Sequence, residues 1–134
     1  MNRITAFGCA MGLLLSWSVP TWGQPRLPFS PSPQELQMLS TECQLVLAGT
    51  QEQKKAMHQQ AFSGWVGPNH YCWGLNFMNR ARFNSKDKTE RRFNLQSAIG
   101  EFGYVLRHSP SNAPNLDQVK LQVQMAEMML RMQK

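Results

Sequence analysis

No stretch of the sequence alternates apolar and polar residues for long enough to make a convincing strand, which sets β architectures aside. There are no paired carboxylates placed for acid–base work, no Gly-rich phosphate loop and no serine-nucleophile motif, so those enzyme classes lack their chemistry here. Beyond the first residues, no second apolar run is long enough to span a membrane. Acidic residues are few: eight Asp and Glu stand against 14 Lys and Arg, a formal net charge of +6. Such a balance suits an anionic partner, although many solvated surfaces share it. Cysteine is scarce as well, with three in 134 residues.

What is present begins with "MNRITAFGCAMGLLLSWSVPTWG", which has the three parts of a secretory signal over residues 1–23. Arg3 supplies the positive start, the stretch from Ile4 to Leu15 is uncharged and mostly apolar, and Pro20 breaks any helix. Thr21 and Gly23 place small side chains before a cleavage point expected between Gly23 and Gln24. The alternative is an uncleaved anchor, but the apolar run falls short of the roughly 20 residues a span requires. Cys9 does not follow that run, which argues against a lipid-anchored cysteine. The expected product is a periplasmic or secreted chain, and losing Arg3 takes its net charge from +6 to +5.

Two cysteines then remain, Cys43 and Cys72. An even count in an exported chain favours a disulfide, because that compartment oxidises thiols. Closing a loop of about 30 residues contributes roughly 3.5 kcal/mol in the chain-entropy model, a sizeable share for so small a domain.

Residues 24–33, "QPRLPFSPSP", hold four prolines and are expected to form an extended arm. A single α-helical domain is expected over 34–134. Ser32 is a candidate N-cap, Pro33 fits the first helical position and Glu35 completes a capping box. Leu36, Leu39, Cys43, Val46 and Leu47 recur at helical spacing, and Gly49 can close that helix. Thr50 can cap a short polar helix in "TQEQKKAMHQQAF", whose helicity over 50–62 stays open, and "SGWVGPN" is a loop by composition. Further helices are expected over 70–83, from about Thr89 to His108, and over about 115–133. The architecture is therefore all-α, a small array of four to five helices with one disulfide.

The stretch "HYCWGLNFMNRARF" raises a catalytic or metal-binding question, because a histidine stands two residues from a cysteine. On a helix those positions point to different faces, so His70 is badly placed to activate Cys72. A nucleophilic cysteine also needs a free thiol, and Cys43 is its obvious consumer. His58, His70 and His108 are scattered, with no pair at a familiar zinc or haem spacing. A structural helix is the simpler reading, and no cofactor is implied. Trp73 and Phe77 form a ridge with Ala81 one turn further, and Gly74 beside it lets another helix approach.

This ridge and the helix after it resemble a degenerate tetratricopeptide repeat over residues 70–134. The signature pairs a Gly with an aromatic three residues later on its first helix. On its second it has A-x3-F, a small apolar residue three further on and Pro five beyond that. Gly74 and Phe77 fit the first part; Ala98, Phe102 and Pro110 fit the second, with Val105 at the small-residue place. His70 stands where the signature prefers Trp, about a dozen extra residues separate Phe77 from Ala98, and no second full repeat is readable. The chain is also similar to small exported proteobacterial proteins of this repeat-like kind. The resemblance implies antiparallel helix hairpins and a scaffold that binds another protein, with no catalytic residues to carry over.

Two surfaces are candidates for function. In "NLDQVKLQVQMAEMMLRMQK", Leu116, Val119, Val123, Ala126 and Leu130 make one apolar stripe, and Leu121, Met125, Met128 and Met132 make another roughly opposite. One stripe is expected to pack on the preceding helix. The other faces an envelope protein, a second copy of the chain or the arm folded back, or else it completes a Met-filled core under the first helix. Together with Trp73 and Phe77, it is the candidate partner-binding set. The second surface is basic: Arg80, Arg82, Lys86, Lys88, Arg91 and Arg92 crowd into residues 80–92 against only Asp87 and Glu90. It reads either as a solvated hairpin tip or as a site for an anionic envelope polymer, lipid headgroup or acidic protein face. Export argues against nucleic acid as the partner.

Overall fold

A computed structural model describes residues 29–133. The signal-like segment 1–23, its cleavage point and arm residues 24–28 lie outside the described residues. Every regular element among those described is helical: α1 (Pro33–Gln37), α2 (Thr41–Ala48), α3 (Gln51–Gln60), α4 (Pro68–Asn79), a π-helical turn (Arg80–Asn84), α5 (Lys88–His108) and α6 (Leu116–Arg131).

There are thus six α-helices, more than the four to five expected, and the reason lies at Ser40. Ser32 and Glu35 form the capping box at the start of α1: the Ser32 amide donates to Glu35 Oε2 at 2.8 Å and the Glu35 amide donates to Ser32 Oγ at 3.3 Å. Apolar spacing suggests that this helix continues to Gly49. Instead Ser40 accepts from the Cys43 amide at 3.4 Å and starts α2 afresh. Its short hydroxyl competes with the helical backbone for that donor. Gln44 Nε2 donates to the Leu39 carbonyl at 2.9 Å, satisfying an acceptor left over by the break. Thr50 and Gln53 repeat the capping box on α3, with the Thr50 amide to Gln53 Oε1 at 2.8 Å. That local device settles 51–60 as helix although no residue of α3 is buried.

The centre of the molecule is an antiparallel hairpin of α4 and α5. His70 at the start of α4 meets Glu101 and Tyr104 late in α5, whereas Ser85, just past the π turn, meets Asn94 early in α5. Gly74 makes the close approach possible: a Cβ there would collide with the Phe102 ring. Helix α6 covers the other side of α5 with Leu116, Val119 and Ala126. Phe102, Leu95, Ala98, Val105 and Val119 are fully buried in one continuous apolar cluster, each of the larger side chains contributing about 1.5–3 kcal/mol.

The N-terminal helices reach this hairpin through α4. Cys43 and Cys72, both inaccessible to solvent, are joined with Cα atoms 5.3 Å apart. The 61–67 loop is more structural than its composition suggests. Phe62 and Trp65 are buried, Trp65 Nε1 donates to the Pro114 carbonyl at 2.6 Å, and the Val66 amide donates to Ser109 Oγ at 2.9 Å. The loop is thereby tied to the α5–α6 connection. At the other end of α4 the helix widens, so that adjacent Arg80 and Ala81 are both buried.

Replacing Cys43 and Cys72 together by Ala is expected to lower stability by about 3 kcal/mol, a fall of roughly 10–20 °C in thermal midpoint for a domain of this size. Dithiothreitol should produce the same fall in the unsubstituted protein; an unmoved midpoint would mean that packing alone holds α2. Two glycine substitutions should have opposite signs in denaturant titrations. Gly74→Ala drives its Cβ into Phe102 and costs about 2 kcal/mol. Gly100→Ala meets nothing within 4 Å and should stabilise by about 0.5–1 kcal/mol through helix propensity.

Candidate functional site

The three groups of candidate contact residues have different fates. The Trp73–Phe77 ridge is occupied by the chain itself. Phe29 sets its ring edge-on to Trp73 at 4.8 Å and to Phe77 at 5.4 Å between centroids. Phe77 is only 3% exposed, so it is a core residue and not a partner-binding one. Trp73 is half-buried, with the His70 ring edge-on at 5.1 Å. A ridge of aromatics on one helix face is apolar enough to be claimed first by any nearby segment, and the end of the arm is that segment. Beside Trp73 opens a cleft of about 530 Å³ walled by Leu36, Val46, Leu47 and Trp73, with Lys54 and His58 among its polar members.

Arg80 does not belong to the expected anion-binding set. It is 2% exposed; its Nε donates to Glu35 Oε1 at 2.5 Å and its Nη2 to Glu35 Oε2 at 3.0 Å. The guanidinium also lies 5.4 Å from the centre of the Phe77 ring. Charge counting along the sequence could not separate this arginine from its neighbours; the capping-box glutamate that claims it lies 45 residues away. The Arg80 hydrogen bonds hold the Glu35 carboxyl below its ordinary range against the opposing effect of burial.

The other five cations, Arg82, Lys86, Lys88, Arg91 and Arg92, are exposed around the α4–α5 turn. The two carboxylates among them already serve the backbone. Asp87 Oδ1 accepts from the Glu90 amide at 2.8 Å and Glu90 Oε2 accepts from the Lys86 amide at 2.8 Å. In their midst stands Phe83, 67% exposed. Counting charge alone passes over this ring, although its place beside Arg82 is visible in the sequence.

On α6 the two stripes separate. Leu116, Val119 and Ala126 are buried and Val123 and Leu130 partly so, whereas Leu121 is 55%, Met128 49% and Met132 70% exposed. Met125 differs from its stripe: it is partly buried and packs against the core. Three apolar side chains on the outer face of the last helix are thus in water.

His70 turns away from Cys72. Its Nδ1 lies 2.7 Å from Glu101 Oε2, its ring stacks on Tyr104 at 3.7 Å, and Tyr104 stacks in turn on His108 at 4.1 Å. The Cys72 thiol is consumed by Cys43, which removes the nucleophile from any Cys–His reading. Among the described residues, no three His, Cys, Asp or Glu side chains converge as a metal site. No protein family, curated protein or solved structure matches this chain.

The buried Glu35–Arg80 pair yields a measurable expectation. Glu35→Gln leaves the guanidinium buried without its counter-charge and is expected to cost about 3 kcal/mol in chemical unfolding at neutral pH. Because the folded-state pKa of Glu35 is depressed, its contribution is complete above the ordinary carboxylate range and fades as pH falls through the folded value. Below that range the wild-type thermal midpoint should therefore fall more steeply than that of Glu35→Gln. Parallel curves would show that the ion pair contributes nothing to acid stability.

Proposed function

We propose that this chain is a non-enzymatic, exported helical scaffold of the bacterial envelope that binds a protein partner through the outer face of α6. The observation that carries this reading is the exposure of Leu121, Met128 and Met132 on one face while the opposite stripe of the same helix is packed on α5. An apolar helix face in water is the arrangement that a partner's groove or helix covers, with anchors at helical spacing. Methionine adapts to irregular surfaces and suits a contact of that kind.

Export is supported by the pairing of Cys43 with Cys72, because such bonds persist in oxidising compartments. No described helix is long and apolar enough to cross a membrane. A repeat-type scaffold is supported by the hairpin itself. Gly74 abuts Phe102, and Ala98, Phe102 and Val105 are all buried in the core, the same positions that carry the tetratricopeptide resemblance. No catalytic residue or cofactor forms part of this reading.

Leu121→Glu with Met128→Glu tests it, both positions being exposed enough to change without emptying the core. After crosslinking in intact cells, capture of a discrete protein is expected to fall about tenfold or more in the double variant, while helicity and thermal midpoint stay put. Loss of a homodimer in place of a second protein would reassign the face to self-association. If neither capture nor oligomeric state changes, the face has no partner.

A further inference from the structure

The α4–α5 turn presents an exposed aromatic side chain, Phe83, on the same short segment as five exposed cations, and this combination asks for more than charge neutralisation. We infer that the turn is a docking surface for an anionic lipid bilayer, with Phe83 entering the interface and Arg82, Lys86, Lys88, Arg91 and Arg92 meeting the headgroups. The inference is independent of the α6 face and uses none of its residues.

Phe83 is presented by a built element. The residues leading into it, Arg80 and Ala81, are buried, Arg80 on Glu35 and Ala81 in the core. The π-helical turn then carries Arg82, Phe83 and Asn84 outward together. Ser85 Oγ donates to the Arg80 carbonyl at 2.9 Å and closes the turn, while Asn94 Nδ2 donates to Ser85 Oγ at 3.1 Å and ties it to α5. The ring therefore projects from a fixed base. A second aromatic, Phe93, is 36% exposed in the first turns of α5.

The electrostatics are one-sided. Five cations face two carboxylates, and those two, Asp87 and Glu90, are engaged with backbone amides at the start of α5. Arg91 and Arg92 lie where the helix dipole disfavours positive charge, so the local fold does not account for them. An anionic surface does.

Phe83 decides between the possible anionic partners. A soluble polyanion neutralises Lys and Arg but offers no apolar layer for a phenyl ring. A bilayer offers both in the right order, with charge at the headgroup plane and acyl chains about 5–10 Å beneath it. Aromatic side chains partition to that boundary, and each Lys or Arg near an anionic leaflet adds to the attraction.

The test uses the protein as recovered from its host and vesicles of phosphatidylcholine with and without phosphatidylglycerol. Binding is expected only to the anionic vesicles. Phe83→Ser should weaken it about tenfold, and Arg91→Glu with Arg92→Glu by at least as much. Against soluble polyphosphate, Phe83→Ser should change nothing while the charge reversal abolishes binding. Phe83→Trp gives a direct readout: its emission, taken as the difference from the unsubstituted protein, should be quenched by brominated acyl chains in anionic vesicles. Position 83 is exposed, so unchanged helicity is expected in every variant and is checked by circular dichroism. Undiminished vesicle binding by Phe83→Ser, or a Phe83→Trp difference signal that stays unquenched, would overturn the inference. Polyphosphate binding retained beside either result would reassign the cations to a soluble polymer.

Discussion

The bond between Cys43 and Cys72 makes one molecule out of two helical pieces. Helices α1 and α2 bury too little of their own surface to be stable alone, and they reach the rest of the chain through α4. Closing the loop between the cysteines restricts the unfolded chain and holds α2 against α4, which in turn packs on α5. The described residues nearer the N-terminus then have a fixed surface to fold on. Phe29 finds the Trp73–Phe77 ridge and Glu35 finds Arg80, at opposite ends of the same short segment.

The second constraint is the distance between α4 and α5. Gly74 brings the Phe102 ring nearly into contact with the α4 backbone, and dispersion across such a contact rises steeply as the gap closes. The hairpin is therefore tight at its middle, and Ser85 and Asn94 tie it together at its tip. There the π turn sends Arg80 and Ala81 inward and Arg82 and Phe83 outward within four consecutive residues. Among the described residues, the widened turn carries the largest fully buried side chain, Arg80, and one of the most exposed aromatics, Phe83, three positions apart. Burial of Arg80 also explains why a basic run of six residues yields a surface of five.

The two proposed contact faces share no residue. The outer stripe of α6 carries the exposed Leu121, Met128 and Met132, suited to a partner with a matching apolar surface. The hairpin tip is strongly basic and carries an exposed phenyl ring, suited to an interface that is charged above and apolar below. A scaffold with both could hold a protein against an anionic surface, each contact weak by itself and stronger when both are made.

Local chemistry was legible in the sequence alone. The capping box at Ser32 and Glu35, the helical period of α5, the helix-ending Ser109-Pro110 and the pairing of the only two cysteines beyond the signal-like segment are short-range or combinatorial facts. The restart of the helix at Ser40 needed the structure, because a serine inside an apolar period reads equally as a tolerated interior residue or as a cap. Only tertiary structure separated Arg80 from Arg82, Phe77 from Phe83 and Met125 from Met128. Each pair is alike in residue type or in local setting, and what differs is the surface lying opposite, supplied by residues dozens of positions away. Period and composition determine which side chains can face a core. The packing of distant elements decides which of them do.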